Sequence, residues 1–247
     1  MQQQHSICDF AGSDSWVILS EIEQSIKRKI EAVGTPLKDW DIQINYGIKT
    51  GYNDAFIIST EKRNEILANC ATDEERHRTA ELIRPILRGR DIKRYGYEWA
   101  NLWLIATFPA LQYDINNYPA VKNHLLSFAK QQLIDAGYSW VADNYLAEYC
   151  KQKLSQTGKF IEIEGKRITV GNNQEKARKK TNNKWFETQD CISYWDDFNQ
   201  PQIVWIELSD DPKFAYAENI TSVNTVFFMT GDNILHLLGL LNSKLVT

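Results

Sequence analysis

The sequence lacks the short motifs by which most enzyme classes are recognised. Its 247 residues contain no G-x-S-x-G elbow, no phosphate-binding G-x-x-x-x-G-K-S/T loop and no dinucleotide-binding fingerprint. The histidines and cysteines form no H-x-H, H-x-x-x-H or C-x-x-C pair. They are His5, His77, His124, His236, Cys8, Cys70, Cys150 and Cys191. The sequence therefore gives no support for a metal site, a zinc ribbon or a disulfide framework.

Long apolar runs and an excess of positive charge are also missing. No run is long enough to span a bilayer, and the N-terminal MQQQHSICDF lacks the basic-then-apolar order of a secretion signal. We therefore expect a cytoplasmic protein with no membrane partner. The 28 Lys and Arg residues face 32 Asp and Glu residues, which gives a net charge of −4. This balance argues against a basic coat for wrapping nucleic acid, so any such contact depends on local clusters.

The hydrophobic pattern that is present alternates between helix and strand. Apolar residues at helical spacing predict helices at 20–33, 73–87 and 120–133, the first with a capping box from Ser20 and Glu23, the second ending near Pro85. Strands are predicted at DIQINYGI and AFIIST, joined as a hairpin by KTGYND, and at LWLIATF, QIVWIEL and NTVFFMTG. The final NILHLLGLLNSKLVT predicts a helix that is either buried or the start of a longer one, and we favour the latter. This order predicts an α/β fold of the α+β type, a mixed β-sheet with flanking helices.

One short motif is similar to a nuclease core. Glu162, Glu164 and Lys166 have the carboxylate-x-lysine spacing with which metal-dependent nucleases hold magnesium and steady the attacked phosphate. No Pro-Asp pair lies upstream, and the alternation in FIEIEGK equally describes an exposed hairpin edge. We favour the hairpin, because three-residue motifs recur by accident.

Positive charge gathers in two clusters. The first, RPILRGRDIKRYGY from residue 84, carries five cations against the single acid Asp91. The second, KARKKTNNKWF from residue 176, carries five more and runs into Trp185 and Phe186. Each cluster alone can be a solvated face that is balanced by acids elsewhere. Two clusters on an acidic body favour a docking surface for a phosphate backbone.

Four blocks of the sequence occur in the order known from one protein family. They are NYGIKTGYNDAFII at 45–58, LIRPILRGRDIKRYGYEW at 82–99, KTNNKWFETQDCISYWDDFNQPQIVWIELSDDPKFAY at 180–216 and LLGLLNSKL at 237–245. In these blocks the chain resembles the TaqI-like C-terminal specificity domain, the target-recognition domain of adenine-specific DNA methyltransferases and fused type II restriction–modification enzymes. The resemblance covers most of the chain from about residue 36, and it is least in 130–175.

This resemblance implies a bacterial specificity domain that is not an enzyme on its own. It would bind double-stranded DNA and position a separate adenine-methyltransferase domain of the same parent chain. S-adenosylmethionine is expected in that other domain and no cofactor in this one. Such methyltransferases hold the flipped adenine with an Asn-Pro-Pro-aromatic motif and bind S-adenosylmethionine with a glycine-containing loop, and neither occurs here. The implied parts are an N-terminal segment and linker helix at 1–35, the recognition domain at 36–233 and the start of a truncated C-terminal helix at 234–247. The alternatives are a metal-dependent nuclease, a complete methyltransferase fragment, or a protein-interaction module that uses the C-terminal leucines.

The matching blocks also contain the candidate DNA contacts. Gly47 and Gly51 would allow the backbone to approach DNA closely, or would serve the geometry of the turn alone. Asp91 can tether one of the arginines internally, and the aromatic residues Trp185, Phe186 and Trp205 are expected in the core or at a subdomain contact. No catalytic or metal-binding residue is assigned. The candidates for phosphate or base contacts are Lys49, Thr50, Arg88, Arg90, Lys93, Arg94, Lys179, Lys180 and Lys184.

Overall fold

The structure is a computed structural model that describes residues 19–135, 160–163, 166–169 and 182–244. The chain divides into two compact units, residues 1–42 and 43–247. The domain boundaries expected after residues 35 and 233 stay predictions. Within the described ranges, no helix is both long enough and apolar enough to cross a membrane.

The described part of the first unit contains an amphipathic helix, α1 (Glu21–Val33). The Ser20 hydroxyl accepts the Glu23 N–H, and the Glu23 carboxylate accepts the Ser20 N–H at 2.7 Å. The predicted capping box is therefore confirmed. Four apolar side chains of the helix are more than half exposed, namely Ile22, Ile26, Ile30 and Val33.

The second unit is an α+β assembly, which confirms the predicted fold class. Its described helices are α2 (Asn53–Phe56), α3 (Thr60–Ala68), α4 (Asp73–Leu82), α5 (Pro119–Asp135) and α6 (Ile234–Leu241). The described strands are β1 (Ile42–Tyr46), β2 (Ile57–Ser59), β3 (Ile83–Leu87), β4 (Leu102–Ile105), β5 (Phe160–Ile163), β6 (Lys166–Thr169), β7 (Gln202–Ile206), β8 (Ala215–Ala217), β9 (Thr221–Ser222) and β10 (Val226–Gly231). The first residue of β1 is the last residue of the first unit.

The strands form three sheets. One has the order β1-β10-β7-β8, and its β10–β7 and β7–β8 pairs are antiparallel. The second has the order β2-β4-β3-β9 and is mixed, because β3 pairs antiparallel with β4 and parallel with β9. In the third, β5 and β6 pair antiparallel with Glu162 opposite Arg167, which confirms the hairpin favoured for that segment.

The core draws side chains from both four-stranded sheets. Phe198 and Phe228 have ring centroids 4.4 Å apart, and both are 1% exposed or less. Trp185 and Phe186 are also buried, as expected from the sequence. Trp205 is half-buried and stacks on Phe227 at 5.8 Å between ring centroids. Each fully buried aromatic or large aliphatic side chain stabilises the fold by about 1.5–3 kcal/mol.

The predicted opening hairpin is wrong. Strands β1 and β2 lie in different sheets, where β1 is next to β10 and β2 pairs with β4. The segment expected as their turn instead leads into helix α2, which buries Ala55 and Phe56. Alternating apolar residues identify a strand but not its partner, and here both partners come from much later in the chain.

One helix ends earlier than predicted, and the predicted continuation of another is not tested. Helix α4 ends at Leu82, and Pro85 lies inside β3 opposite Trp103. The chain continues as a strand because Ile83–Pro85 pairs with β4 and Ile86–Leu87 pairs with β9. Helix α6 was predicted, and it buries Ile234, Leu237 and Leu238. Its proposed role as the start of a longer C-terminal helix stays a prediction.

Candidate nucleic-acid interface

Two turns that carry candidate cations are fixed to one backbone segment, Ser222–Thr225. The Lys49 turn, residues 47–54, is bonded to it through Ile48, whose N–H donates to Ser222 O at 2.7 Å and whose carbonyl accepts the Asn224 N–H at 3.1 Å. From the opposite edge of the segment, the Val223 N–H donates to Leu87 O at 3.0 Å, just before the arginine turn, residues 88–91. Distant parts of the sequence are thereby held beside one another.

Gly47 sets how closely the Lys49 turn approaches this segment. A Cβ atom there would lie 2.2 Å from the Val223 carbonyl oxygen and 2.5 Å from that of Ser222. Gly51, in the same turn, has a φ of 75°, a conformation that glycine adopts at little cost. Of the two roles considered for these glycines, the geometry of the turn itself is the one that the structure confirms.

Lys49 and Thr50 are neighbours with opposite exposure. Thr50 is 1% exposed, and its hydroxyl donates to Asn53 Oδ1 at 2.6 Å and accepts the Tyr52 N–H at 3.1 Å. A DNA contact by Thr50 stays a prediction, and this burial argues against it. Lys49 is exposed, with its Nζ 5.6 Å from the centroid of the Tyr46 ring. Its ammonium group is thus available at the surface.

The first arginine of the arginine turn is bound to the chain itself. Arg88 donates from Nε to Asp91 Oδ2 at 3.1 Å and from Nη2 to Asp91 Oδ1 at 2.8 Å. Burial acts to raise the pKa of Asp91, but the Arg88 side-chain and backbone hydrogen bonds outweigh it and hold that pKa below its usual value. The internal tether considered for Asp91 is therefore confirmed, and Arg88 is its partner.

The next three cations lie at the surface. Arg90 is exposed and makes no ion pair with another described residue. Lys93 Nζ lies 3.5 Å from Glu98, and Arg94 lies 3.4 Å from Asp211, with all four side chains largely exposed. Exposed pairs of this kind contribute about 0–1 kcal/mol, so these cations can exchange their partners for phosphates at little cost.

The segment Lys93–Gly96 is a tight turn at the edge of the first sheet. The Lys93 N–H donates to Gly96 O at 2.8 Å, and the Tyr95 N–H donates to Phe214 O at 2.8 Å, next to β8. Tyr95 has a φ of 73°, which the sheet contact on one side and the turn on the other impose on a non-glycine residue. The cations before it are therefore carried on ordered backbone.

The second basic cluster is described only from residue 182 onward. Lys184 is exposed, with its Nζ 3.8 Å from Glu187 and 5.7 Å from the centroid of the Phe186 ring. Its neighbours Trp185 and Phe186 are in the core, so they anchor Lys184 instead of offering a stacking surface. Lys179 and Lys180 lie outside the described residues, and their DNA contacts stay predictions.

An open pocket of about 470 Å³ adjoins the Lys49 turn. Besides the turn residues, Gln189 and Asn224 line it. Their backbones are fixed to the turn, because the Gln189 N–H donates to Thr50 O at 3.1 Å and the Asn224 N–H donates to Ile48 O at 3.1 Å. Neither side-chain amide has a hydrogen-bond partner among the described residues.

Sequence reasoning missed both amides. Asn and Gln are common at surfaces, and nothing local distinguishes Gln189 or Asn224 from other polar residues. Their proximity to Lys49 depends on long-range contacts, such as the Lys49 N–H to the Asp190 carboxylate across 141 residues. No sequence pattern reports such a contact in advance.

The described fold and site define an α+β protein with exposed cations on turns anchored to a common backbone segment. Among the described residues, no group of three or more His, Cys, Asp or Glu side chains is placed to hold a metal ion.

Comparison with known proteins finds similarity to solved structures. No protein-family model matches the chain, and no curated protein matches it. The chain is similar to part of the type IIL restriction–modification enzyme MmeI, solved in complex with DNA, at 14% identity and a TM-score of 0.43. The match covers 85% of this chain and 22% of that enzyme, so the chain spans about a fifth of its length. A likeness of this extent assigns neither a family nor a function.

Proposed function

We propose that this chain is the DNA target-recognition domain of a restriction–modification enzyme. The observation that carries the proposal is a set of exposed cations on ordered turns. Lys49 and Arg90 lie on the two turns that are bonded to Ser222–Thr225, and Lys93 and Arg94 lie on the turn that is bonded to Phe214. The whole chain has a net charge of −4. A local cationic surface on an acidic body directs a polyanion to that surface and away from the rest of the molecule.

The cations are suited to the phosphate backbone. Lys and Arg that neutralise phosphates release counterions, which gives affinity without sequence information and fixes the orientation of the duplex. Because Arg88 is held by Asp91, it supports the turn, while Arg90 reaches outward from it. We therefore assign DNA contacts to Arg90, Lys93 and Arg94 in this region and a positioning role to Arg88.

Catalysis in this proposal belongs to another domain. The adenine-methyltransferase domain of the parent chain would bind S-adenosylmethionine and form the other wall of the DNA cleft, and this chain would select the site in a bacterial cytoplasm. The resemblance of NYGIKTGYNDAFII and LIRPILRGRDIKRYGYEW to TaqI-like specificity domains supports the assignment. Both blocks carry the turns that present the cations.

A protein-interaction role is favoured by a separate observation on the first unit. Helix α1 exposes four apolar side chains in one stripe, and an exposed apolar stripe of this kind is typical of a surface that binds a partner. Such a role predicts partner binding that is insensitive to salt, whereas DNA binding falls steeply with salt. The two roles can therefore be separated in one measurement.

The test is binding of the whole chain to a mixed-sequence duplex across a salt series. The variant Arg90→Ala/Lys93→Ala/Arg94→Ala is compared with Lys62→Ala/Arg76→Ala/Arg78→Ala, which removes the same charge from helices α3 and α4. We expect the plot of log affinity against log salt to lose about one unit of slope per removed contact in the first variant. The control variant should keep the slope of the unaltered chain. Equal losses in both variants, or no binding by the folded chain at low salt, would contradict the proposal.

A further inference from the structure

The pocket beside the Lys49 turn has a polar lining without net charge. The charged residues that line it are Lys49 and Asp54, one of each sign, and the remaining polar groups include the amides of Asn53, Gln189 and Asn224. Asp54 would repel a phosphate that entered the pocket, whereas a neutral group with both donors and acceptors meets no such repulsion. The pocket is therefore matched to a different part of DNA from the one that the exposed cations bind.

The amides of this pocket are available for a ligand. Asn53 uses its Oδ1 to accept the Thr50 hydroxyl at 2.6 Å, which leaves its NH₂ group. Asn224 and Gln189 have no side-chain partner among the described residues, although the backbone of each is hydrogen-bonded to the turn. A carboxamide on a fixed backbone offers one acceptor and two donors at a defined place.

Asn224 has the more informative position of the two. It lies half-buried in Ser222–Thr225, the segment to which both the Lys49 turn and the arginine turn are bonded. Phosphates held by cations on the two turns would therefore lie to either side of a base that reaches Asn224. The Asn carboxamide pairs in two places with adenine, accepting from N6 and donating to N7.

We propose that Asn224, with Gln189 beside it, recognises the N6/N7 edge of an adenine and so determines specificity at one position of the DNA site. The proposal rests on the proposed DNA-binding function and deepens it. Lys49, at the rim of the same pocket, contributes affinity without base preference. Asn224 thus acts on the preference for one base and Lys49 on the affinity for all sequences, and the two can be measured separately.

The first experiment is selection from a duplex library with a randomised segment, using the whole chain and sequencing the bound fraction. The variants are Asn224→Ala, Asn224→Asp, Gln189→Ala and Lys49→Ala, with Asn123→Ala on helix α5 as the matched control. In Asn224→Ala we expect a roughly 5- to 150-fold loss of preference for adenine at one position. Asn224→Asp should move that preference toward cytosine, whose N4 donates to a carboxylate. Lys49→Ala should weaken all sequences alike and lower the salt slope by about one unit.

A second experiment changes the DNA instead of the protein, so its main readout, the affinity of the unaltered chain, does not depend on how a variant folds. The selected duplex is made with 7-deazaadenine at the preferred position, which removes the N7 acceptor. Affinity should fall for the unaltered chain and stay the same for Asn224→Ala. If the chain enriches a sequence but Asn224→Ala and Gln189→Ala both keep its adenine preference, the inference fails while the proposed function stands. If the chain enriches nothing at low salt, both fail.

Discussion

The two turns that flank Ser222–Thr225 are held in place by different kinds of interaction. Inside the Lys49 turn the contacts are neutral, namely the hydrogen bonds of the Thr50 hydroxyl and the close approach of Gly47. One bond to a carboxylate comes from outside the turn, where Asp190 accepts the Lys49 N–H at 3.3 Å. The arginine turn depends on an ion pair, in which Asp91 is 5% exposed. The two turns should therefore respond differently to acid, to substitution and to added volume.

The comparison also shows that a segment can expose fewer cations at the surface than its sequence contains. Arg88 and Arg90 are two residues apart, yet one stabilises its own turn and the other is exposed. The Lys49 turn has a single cation and presents it without any ionic support from within the turn. Charge counted from sequence thus overestimates the interface at the arginine turn.

The largest loss of stability is expected from added volume at Gly47, the glycine of the Lys49 turn. Gly47→Ala would place a Cβ 2.2 Å from the Val223 carbonyl oxygen. This backbone cannot move without disturbing the hydrogen bonds that tie it to Leu87 and Ile48. We expect a loss of about 3 kcal/mol or more in the free energy of unfolding. Gly89→Ala, in the arginine turn, is the matched control, because its Cβ would meet the terminal Ile206 Cγ2 at 2.7 Å, which a rotamer change can relieve. Urea unfolding of the two variants tests this, and equal losses would contradict it.

The next largest effect is expected from breaking the ion pair. Arg88→Met leaves the buried Asp91 carboxylate without its guanidinium partner, and we expect a loss of about 2 kcal/mol, below the range for fully buried pairs because Arg88 is partly exposed. Arg90→Met, two residues away, is the control and should change stability by less than about 0.5 kcal/mol. Chemical unfolding at neutral pH measures both. A loss in Arg90→Met as large as that in Arg88→Met would show that the two arginines do not differ as described.

Acid should reduce the difference in unfolding free energy between Arg88→Met and the unaltered chain. The pKa of Asp91 is lowered in the folded chain, so the stability that its pairing contributes is complete above the unfolded pKa, about 4, and is lost as the pH falls through the lower folded pKa. The gap in unfolding free energy between the two proteins should therefore narrow below about pH 4. Unfolding curves from neutral to acidic pH check this, and a constant gap would mean that the carboxylate charge does not hold the turn.

The sequence pattern predicted those elements whose formation depends on residues close together in the sequence. The capping box of α1, the helix α5 and the strands β4, β7 and β10 follow from residue order alone, and Asp91 could be expected to bind an arginine nearby. The partner of β1 could not be predicted, because it is brought from β10, far along the chain. The pocket of Asn224 could not be predicted for the same reason: its lining residues are far apart in the sequence and are brought together only by the fold.

A smaller effect, independent of pH, is expected in the Lys49 turn. Thr50→Val keeps the shape of the side chain but removes the hydroxyl that donates to Asn53 and accepts the Tyr52 N–H. Losing the two hydrogen bonds of the hydroxyl costs about 1–2 kcal/mol, and Thr50→Ser should recover most of it. No ionisable group takes part in these bonds, so the loss should be the same at neutral and acidic pH. A loss that shrinks in acid, as expected for Arg88→Met, would remove the contrast between the turns.

The smallest effect on stability, and the sharpest one on binding, is expected at Arg94 and Asp211. Both side chains of this pair are exposed, so Arg94→Ala and Asp211→Asn should each change the unfolding free energy by less than about 1 kcal/mol. Their effects on DNA affinity should be opposite, because the first removes a cation that can reach a phosphate and the second releases that cation from its carboxylate. Duplex binding at two salt concentrations measures this, with the weakening in Arg94→Ala and the gain in Asp211→Asn both reduced at the higher salt. If both variants weaken binding, the Arg94–Asp211 pair acts by holding the Lys93–Gly96 turn in place, as the Arg88–Asp91 pair holds the arginine turn.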